Sequence, residues 1–295
     1  ARRDELARVH DATYIDKIAA TAGQRLRLDA DTYTSTESYE VALEAAGATL
    51  TAVEHTLATG APAMALVRPP GHHAEAGRAM GFCLFNNVAV AAASARAAGV
   101  DRVAVLDYDV HHGNGTQWMF YDDPSVLYVS LHQYRFYPGT GALTDVGRGD
   151  GIGCTLNVPL EAGAGDADYD RAMRELVGPV VTAFAPELIL LSAGYDAHGR
   201  DPLGGMRLST EGYAAMTAHV QRLAASCCDG RLAAVTEGGY DLRALDACLE
   251  STLTQLAEDP PTSATSVTGD TSRIDRVIPA VRRALGPYWP GVLSG

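Results

Sequence analysis

The stretch VAVLDYDVHHGNG, from Val103 to Gly115, sets an apolar run directly against two aspartates, two histidines and a glycine-bounded turn. Alternate side chains of an extended strand share a face, so this spacing predicts that Asp107, Asp109 and His111 point the same way at a strand's end. Three such groups are expensive to desolvate unless they hold or support something. A catalytic zinc takes three protein ligands and keeps a further position for water, whose pKa falls to about 7. Asp109 and His111 supply two ligands. Asp196, which closes the apolar run LILLSAGYD at 188–196, is the expected third. The plain alternatives are a solvated turn after Leu106 and a helix N-cap at Asp196.

Working outward, the same kind of apolar run recurs as AMALV (63–67), VLYVSLH (126–132), LILLSAGYD (188–196) and LAAVTEGG (232–239). Ala-rich or helically periodic segments lie between them, at 41–58, 86–99, 168–184 and 211–227. Alternating strands and crossover helices imply a mostly parallel sheet with helices on both faces, an α/β architecture. Pro and Gly clusters mark the strand ends: RPPGHH, HHGNG and YPGTG. Ligands of open α/β sheets bind at the carboxyl ends of the strands, where every unusual polar residue of this chain falls. Residues 259–272 (DPPTSATSVTGDTS) lack apolar periodicity and read as a surface loop before a last helix.

The 295 residues read as one domain spanning 1–295. The net charge of −13 should repel nucleic acid phosphates and suits a basic partner, although it speaks first to solubility. Five cysteines without a CxxC pair make neither a disulfide framework nor a thiolate metal site. No apolar run is long enough to cross a bilayer, so a cytoplasmic protein without membrane contact is expected. The chain opens at Ala1 rather than Met, which leaves room for an upstream segment. Homo-oligomer formation stays open.

Further chemistry lies in Arg68-Pro69-Pro70-Gly71-His72-His73. Adjacent histidines in irregular backbone can face one cleft, and amide hydrolysis needs both a base for water and an acid for the leaving amine. Surface histidines are the ordinary reading of such a pair. Tyr240, after Glu237-Gly238-Gly239, could donate to a developing oxyanion, or simply pack.

Taken in order, RPPGHHA, GFCLFNN, LDYDVHHGNGTQ, YVSLH, YPGTG, AGYDAHGRDPLGG and EGGY resemble the metal-dependent histone deacetylase family and its bacterial relatives, which include acetylpolyamine amidohydrolases. The resemblance runs from about His10 to Tyr240, and Asn114 and Glu237 look like its class II branch. It implies the arginase-deacetylase fold, with Asp109, His111 and Asp196 as zinc ligands. It also implies His72 and His73 as the catalytic pair, backed by Asp107 and Asn114, and Tyr240 at the scissile carbonyl. Gly81, Phe82, Tyr137 and Leu203 match the substrate tunnel. Tyr137 departs from the usual phenylalanine. Leu203 stands where a polyamine-selective branch carries glutamate, and an apolar gate leans towards acyl-lysine or an uncharged substrate. A structural potassium ion is implied beside the zinc strand, at the backbone around Asp107, Asp109 and His111 and the side chain of Ser130.

The expected activity is removal of an acetyl or related acyl group from an amine, with acyl-lysine ahead of an acetylpolyamine or small metabolite. An Asp-His-Asp set selects weakly between zinc and ferrous iron. Two other readings start from the same residues. A dimanganese ureohydrolase would need more carboxylates than HHGNG supplies, and a catalytically silent module would bind acylated amines without turning them over.

Overall fold

A computed structural model describes residues 1–260, 262 and 266–293. Its strands are β1 (Ala63–Ala65), β2 (Val103–Asp107), β3 (Val126–Gln133), β4 (Thr155–Leu160), β5 (Leu188–Ala193) and β6 (Leu232–Thr236). The α-helices are α1 (Arg3–Leu6), α2 (Ala12–Ala19), α3 (Ser38–Thr59), α4 (Asn87–Ala97), α5 (Asn114–Met119), α6 (Asp166–Ala172), α7 (Gly178–Phe184), α8 (Thr210–Cys228), α9 (Leu242–Ala257) and α10 (Ile274–Leu285).

The six strands form one sheet in the order β1-β6-β5-β2-β3-β4, and every pairing is parallel. β2 and β5 are buried along their whole length, which is why they read as continuous apolar runs. Val103 and Val105 face a core shared with α2, α3 and α4; Ala104 and Leu106 face a second core with α6 to α10. Helices therefore cover both faces of a single α/β domain. The Ala-rich α4 is buried nearly all round, and its first turn is capped by the Asn86 side chain, which accepts from the Ala89 N–H.

Chain order and strand order together place the site. The chain passes from β2 outward to β3 and β4, then returns to the other side of β2 as β5 and continues to β6. The direction reverses between β2 and β5, and at such a switch point the loops beyond two neighbouring carboxyl ends part to leave a crevice.

The structure corrects several expected boundaries. The strand expected to reach residue 110 stops at Asp107, and the one expected to reach 196 stops at Ala193. Past β2 the Tyr108 N–H still reaches Ser192 O of β5, but the next three N–H groups bond side chains. The N–H of Asp109 donates to Asp107, that of Val110 to Asp196, and that of His111 to Asp109. Alternation along a strand is thus not what gathers Asp109 and His111. The helix expected over 168–184 is α6 and α7 joined by a π-helical turn at Met173–Val177. β4 was not foreseen, because Asn157 and Pro159 interrupt its pattern; proline is accepted there because β4 is an edge strand. Of the loop expected over 259–272, residues 261 and 263–265 lie outside the described residues; α10 follows it.

Candidate active site

Asp109 and His111 sit in the turn after β2, and Asp196 in the turn after β5. The two turns are neighbours because Asp107 pairs with Ser192 in the sheet. One ligand atom from each of the three residues lies within 4.8 Å of the others, the one such group among the described residues. His111 Nδ1 is 3.1 Å from Asp109 Oδ1 and 3.0 Å from Asp196 Oδ2. Both aspartates are fully buried. Burial and the charge of Asp109 push the Asp196 carboxyl up to about 6. Burial disfavours the His111 cation, but Asp196 and Asp109 outweigh it and raise its pKa to about 10.

Two carboxylates and an imidazole meeting in one buried spot are a fitting donor set for a divalent cation. Gly238 makes room for it. A Cβ there would stand 2.2 Å from Asp196 Oδ2 and 2.7 Å from Asp109 Oδ2, while its N–H donates to Asp109 Oδ2 at 2.8 Å. The residues present therefore fit a metal.

His72 and His73 lie beside this group, their rings 4.0 Å apart and both buried. Their environments differ. His72 Nδ1 donates to Asp107 Oδ2 at 3.0 Å; burial opposes its cation, yet Asp107 and Asp109 raise its pKa well above the ordinary value. His73 Nδ1 contacts the neutral Asn114 Oδ1 at 2.8 Å, and burial together with the charges of His72 and His111 holds its pKa well below the ordinary value. Two imidazoles whose pKa values are driven apart suit opposite proton-transfer duties. Asp107 also accepts from the Tyr128 hydroxyl at 3.1 Å.

His72, His73 and His111 face a cavity of about 440 Å³. Gly81, Phe82, Tyr137, Leu203 and Tyr240 all line it, so every residue expected in the tunnel is at its wall. The Tyr137 ring stands edge-on to His73, at 5.2 Å and 88°. Gly81 and Phe82 both have positive φ, 57° and 67°. A Cβ at Gly81 would meet the His73 ring at 2.3 Å, so only glycine fits there. The Phe82 N–H is held by Thr32 Oγ1 at 3.1 Å. Ser130, the residue after Val129 on β3, contacts His132 Nδ1 at 2.9 Å and pairs with Asp107 across the sheet.

The supporting roles of several residues escaped the sequence reading. Phe136 stacks on His111 at 5.3 Å and 16°. Asp201, inside the quoted AGYDAHGRDPLGG, accepts from the N–H groups of Tyr240 and Asp241 at 2.6 and 3.2 Å and so anchors the tyrosine turn. Glu237 accepts from the N–H groups of Gly71 and His72 at 2.7 and 3.1 Å and from Ser192 Oγ at 2.9 Å, tying the histidine loop to β5 and β6. Burial pushes its carboxyl up to about 7. A carboxylate at the end of an apolar strand was the available signal.

Comparison with known proteins places this geometry in a family. The Histone deacetylase domain matches residues 1–256, and the chain belongs to that family. It is 40% identical over 278 residues to a chloroplastic histone deacetylase 10 of Oryza sativa subsp. japonica, covering 90% of this chain and 63% of the relative. It is 45% identical over 246 residues to a histone deacetylase-like amidohydrolase of Pseudomonas aeruginosa, covering 81% and 64%. The polyamine deacetylase HDAC10 of Homo sapiens is 40% identical over 309 residues, covering 98% and 45%. The chain thus spans about half to two thirds of the length of these curated relatives. The crystal structure of the HDA15 HD domain superposes with a TM-score of 0.91 at 38% identity, covering 99% of this chain and 80% of that one. No helix among the described residues is long and apolar enough to cross a membrane.

Proposed function

We propose that the protein is a zinc-dependent amidohydrolase that removes an acetyl or related acyl group from an amine, with acyl-lysine as the substrate class. The observation that carries this is one cavity lined by His72, His73, His111 and Tyr240, with the buried Asp109 and Asp196 grouped around His111 directly behind its wall. Zinc would be held by Asp109, His111 and Asp196, where it would supply Lewis-acid polarisation of the acyl carbonyl and acidify the attacking water. Ferrous iron suits the same ligands. A potassium ion near Asp107 and Ser130 is part of the same reading, and rests on family resemblance.

The chain's own residues divide the remaining work. The slender acyl-bearing arm lies between Phe82 and Tyr137, and the apolar Leu203 stands at the mouth, 41% exposed. His73, kept neutral beside Asn114, takes the proton of the attacking water and returns it to the leaving amine. His72, held as a cation by Asp107, stabilises the negative charge that develops nearby. The Tyr240 hydroxyl, whose pKa burial and the two aspartates raise, stays protonated and donates to the oxyanion.

A second reading, an acylpolyamine substrate, is favoured by Asp31, the one carboxylate lining the cavity, which could face a substrate ammonium. Rates on acetyl-lysine peptide, acetylputrescine and longer acyl-lysines, measured side by side, separate the two. Turnover of none of them by zinc-loaded protein, with a hydroxamate still binding, would leave the silent acyl-amine-binding module.

A further inference from the structure

Asn114 has a carbonyl end and an amino end, and which end faces His73 decides where that histidine carries its proton. A carboxylate only accepts hydrogen bonds. Glu75 Oε1 lies 2.7 Å from Asn114 Nδ2, so the amino end is pinned there, with weaker contacts to His73 O at 3.4 Å and Met80 Sδ at 3.4 Å. The reversed amide would set its oxygen 2.7 Å from the Glu75 oxygen, a repulsive contact between two acceptors. With the amino end engaged, Oδ1 faces His73 Nδ1 at 2.8 Å. His73 Nδ1 must then donate, which leaves Nε2 with its lone pair. Met80 Sδ and the His73 carbonyl oxygen accept from the same amino end, only weakly at 3.4 Å, so the charged contact dominates.

We propose that Glu75 is a positioning residue that sets the His73 tautomer through Asn114, and thereby makes Nε2 the basic nitrogen. Glu75 is itself held in place. His10 Nδ1 donates to its backbone carbonyl at 3.1 Å, and its N–H donates to Arg78 O at 2.9 Å. Neutral Asn114 transmits the orientation without offering a charge, so Glu75 selects the tautomer while two bonds removed from the ring. The kinetic consequence rests on the deacylase reading; the tautomer itself does not.

The test uses the metal-loaded full chain with 15N-labelled histidine, the His73 ring signals being assigned by their loss in His73→Ala. Glu75→Gln retains an acceptor, and should keep the proton on Nδ1 with kcat within about threefold of wild type. Glu75→Lys places a donor there, turns the amide over, and should move the proton to Nε2. A histidine locked in the wrong tautomer costs up to about 10⁴ in kcat, so a fall on the order of a hundredfold is expected, with KM changed less than about threefold. A folded Glu75→Lys protein whose His73 keeps its proton on Nδ1 overturns the proposal, and so does Glu75→Gln that is as slow as Glu75→Lys. If Glu75→Lys does not fold, Glu75→Leu reads the same point: mixed tautomers support the role, and Nδ1–H alone refutes it. A tautomer change in protein whose wild type hydrolyses no acyl amine leaves the role of Glu75 standing and removes the deacylase reading.

Discussion

Replacing Gly238 with alanine tests the metal seat by the smallest available change. Gly238 has no positive φ, so its backbone accepts any residue and the effect of a methyl group is steric alone. The added Cβ would lie 2.2 Å from Asp196 Oδ2, 2.9 Å from Asp196 Cγ and 2.7 Å from Asp109 Oδ2. Roughly 1 Å must open before the closest contact reaches ordinary van der Waals distance. Both carboxylates are buried, so the strain cannot be released into solvent, and overpacking of this kind costs about 1–3 kcal/mol. Metal sites accept displacements of only about 0.2 Å. Since disturbing even the groups behind the ligands weakens binding by roughly 10- to 100-fold, moving two ligands themselves should cost zinc affinity about 100-fold or more. Competition with a fluorescent chelator measures this directly, and turnover should fall in parallel. Gly286→Ala, where φ is −51° and a methyl meets nothing within 4 Å, is the control. Zinc affinity unchanged in Gly238→Ala would refute the assignment of Asp109 and Asp196 as a shared seat.

Removing the Tyr240 hydroxyl as Tyr240→Phe should lower kcat on the order of a hundredfold with little change in KM; unchanged turnover on acetyl-lysine peptide excludes it from the oxyanion site. His10 is 4% exposed, and burial lowers its pKa from 6.5 to about 4. Between those values the unfolded chain binds a proton that the native protein does not, so stability falls as pH drops from about 6.5 to 4, by on the order of 3 kcal/mol. Urea unfolding at pH 7.5 and 5 should show about 2 kcal/mol of this loss in wild type and a smaller one in His10→Gln, whose amide can still accept from the Asn86 N–H that His10 Nε2 now binds. Leu203→Glu adds a carboxylate at the cavity mouth. A charge pair at about 4 Å in water is worth about 1 kcal/mol, so kcat/KM for acetylputrescine relative to acetyl-lysine peptide should rise roughly fivefold; an unchanged ratio would place Leu203 off the substrate path.

Much of this protein is decided by local sequence. The apolar runs that became β2, β3 and β5 and the Ala-rich α4 are legible because burial on both sides of a sheet needs uninterrupted apolar residues. The polar residues at their carboxyl ends, Asp107 to Asn114 and Asp196 among them, stand out because such groups are costly to bury without partners. Where pattern and pairing conflict, as in β4 with its Asn157 and Pro159, the run is not recognised. Other matters depend on which strands become neighbours. Asp196 reaches His111 because β5 returns to pair with β2, a contact between positions 85 residues apart. Asp109 and His111 converge through a turn held by side-chain acceptors, not through strand alternation. Glu237 and Glu75 gain their places only when the histidine loop folds against β6 and α5, bringing acceptors to N–H groups as far as 166 positions away. Local sequence sets which residues are apolar, charged or turn-forming; the pairing of distant strands decides which of those charges meet. No short-range pattern encodes that pairing, because its stabilisation comes from area buried between segments far apart in the chain.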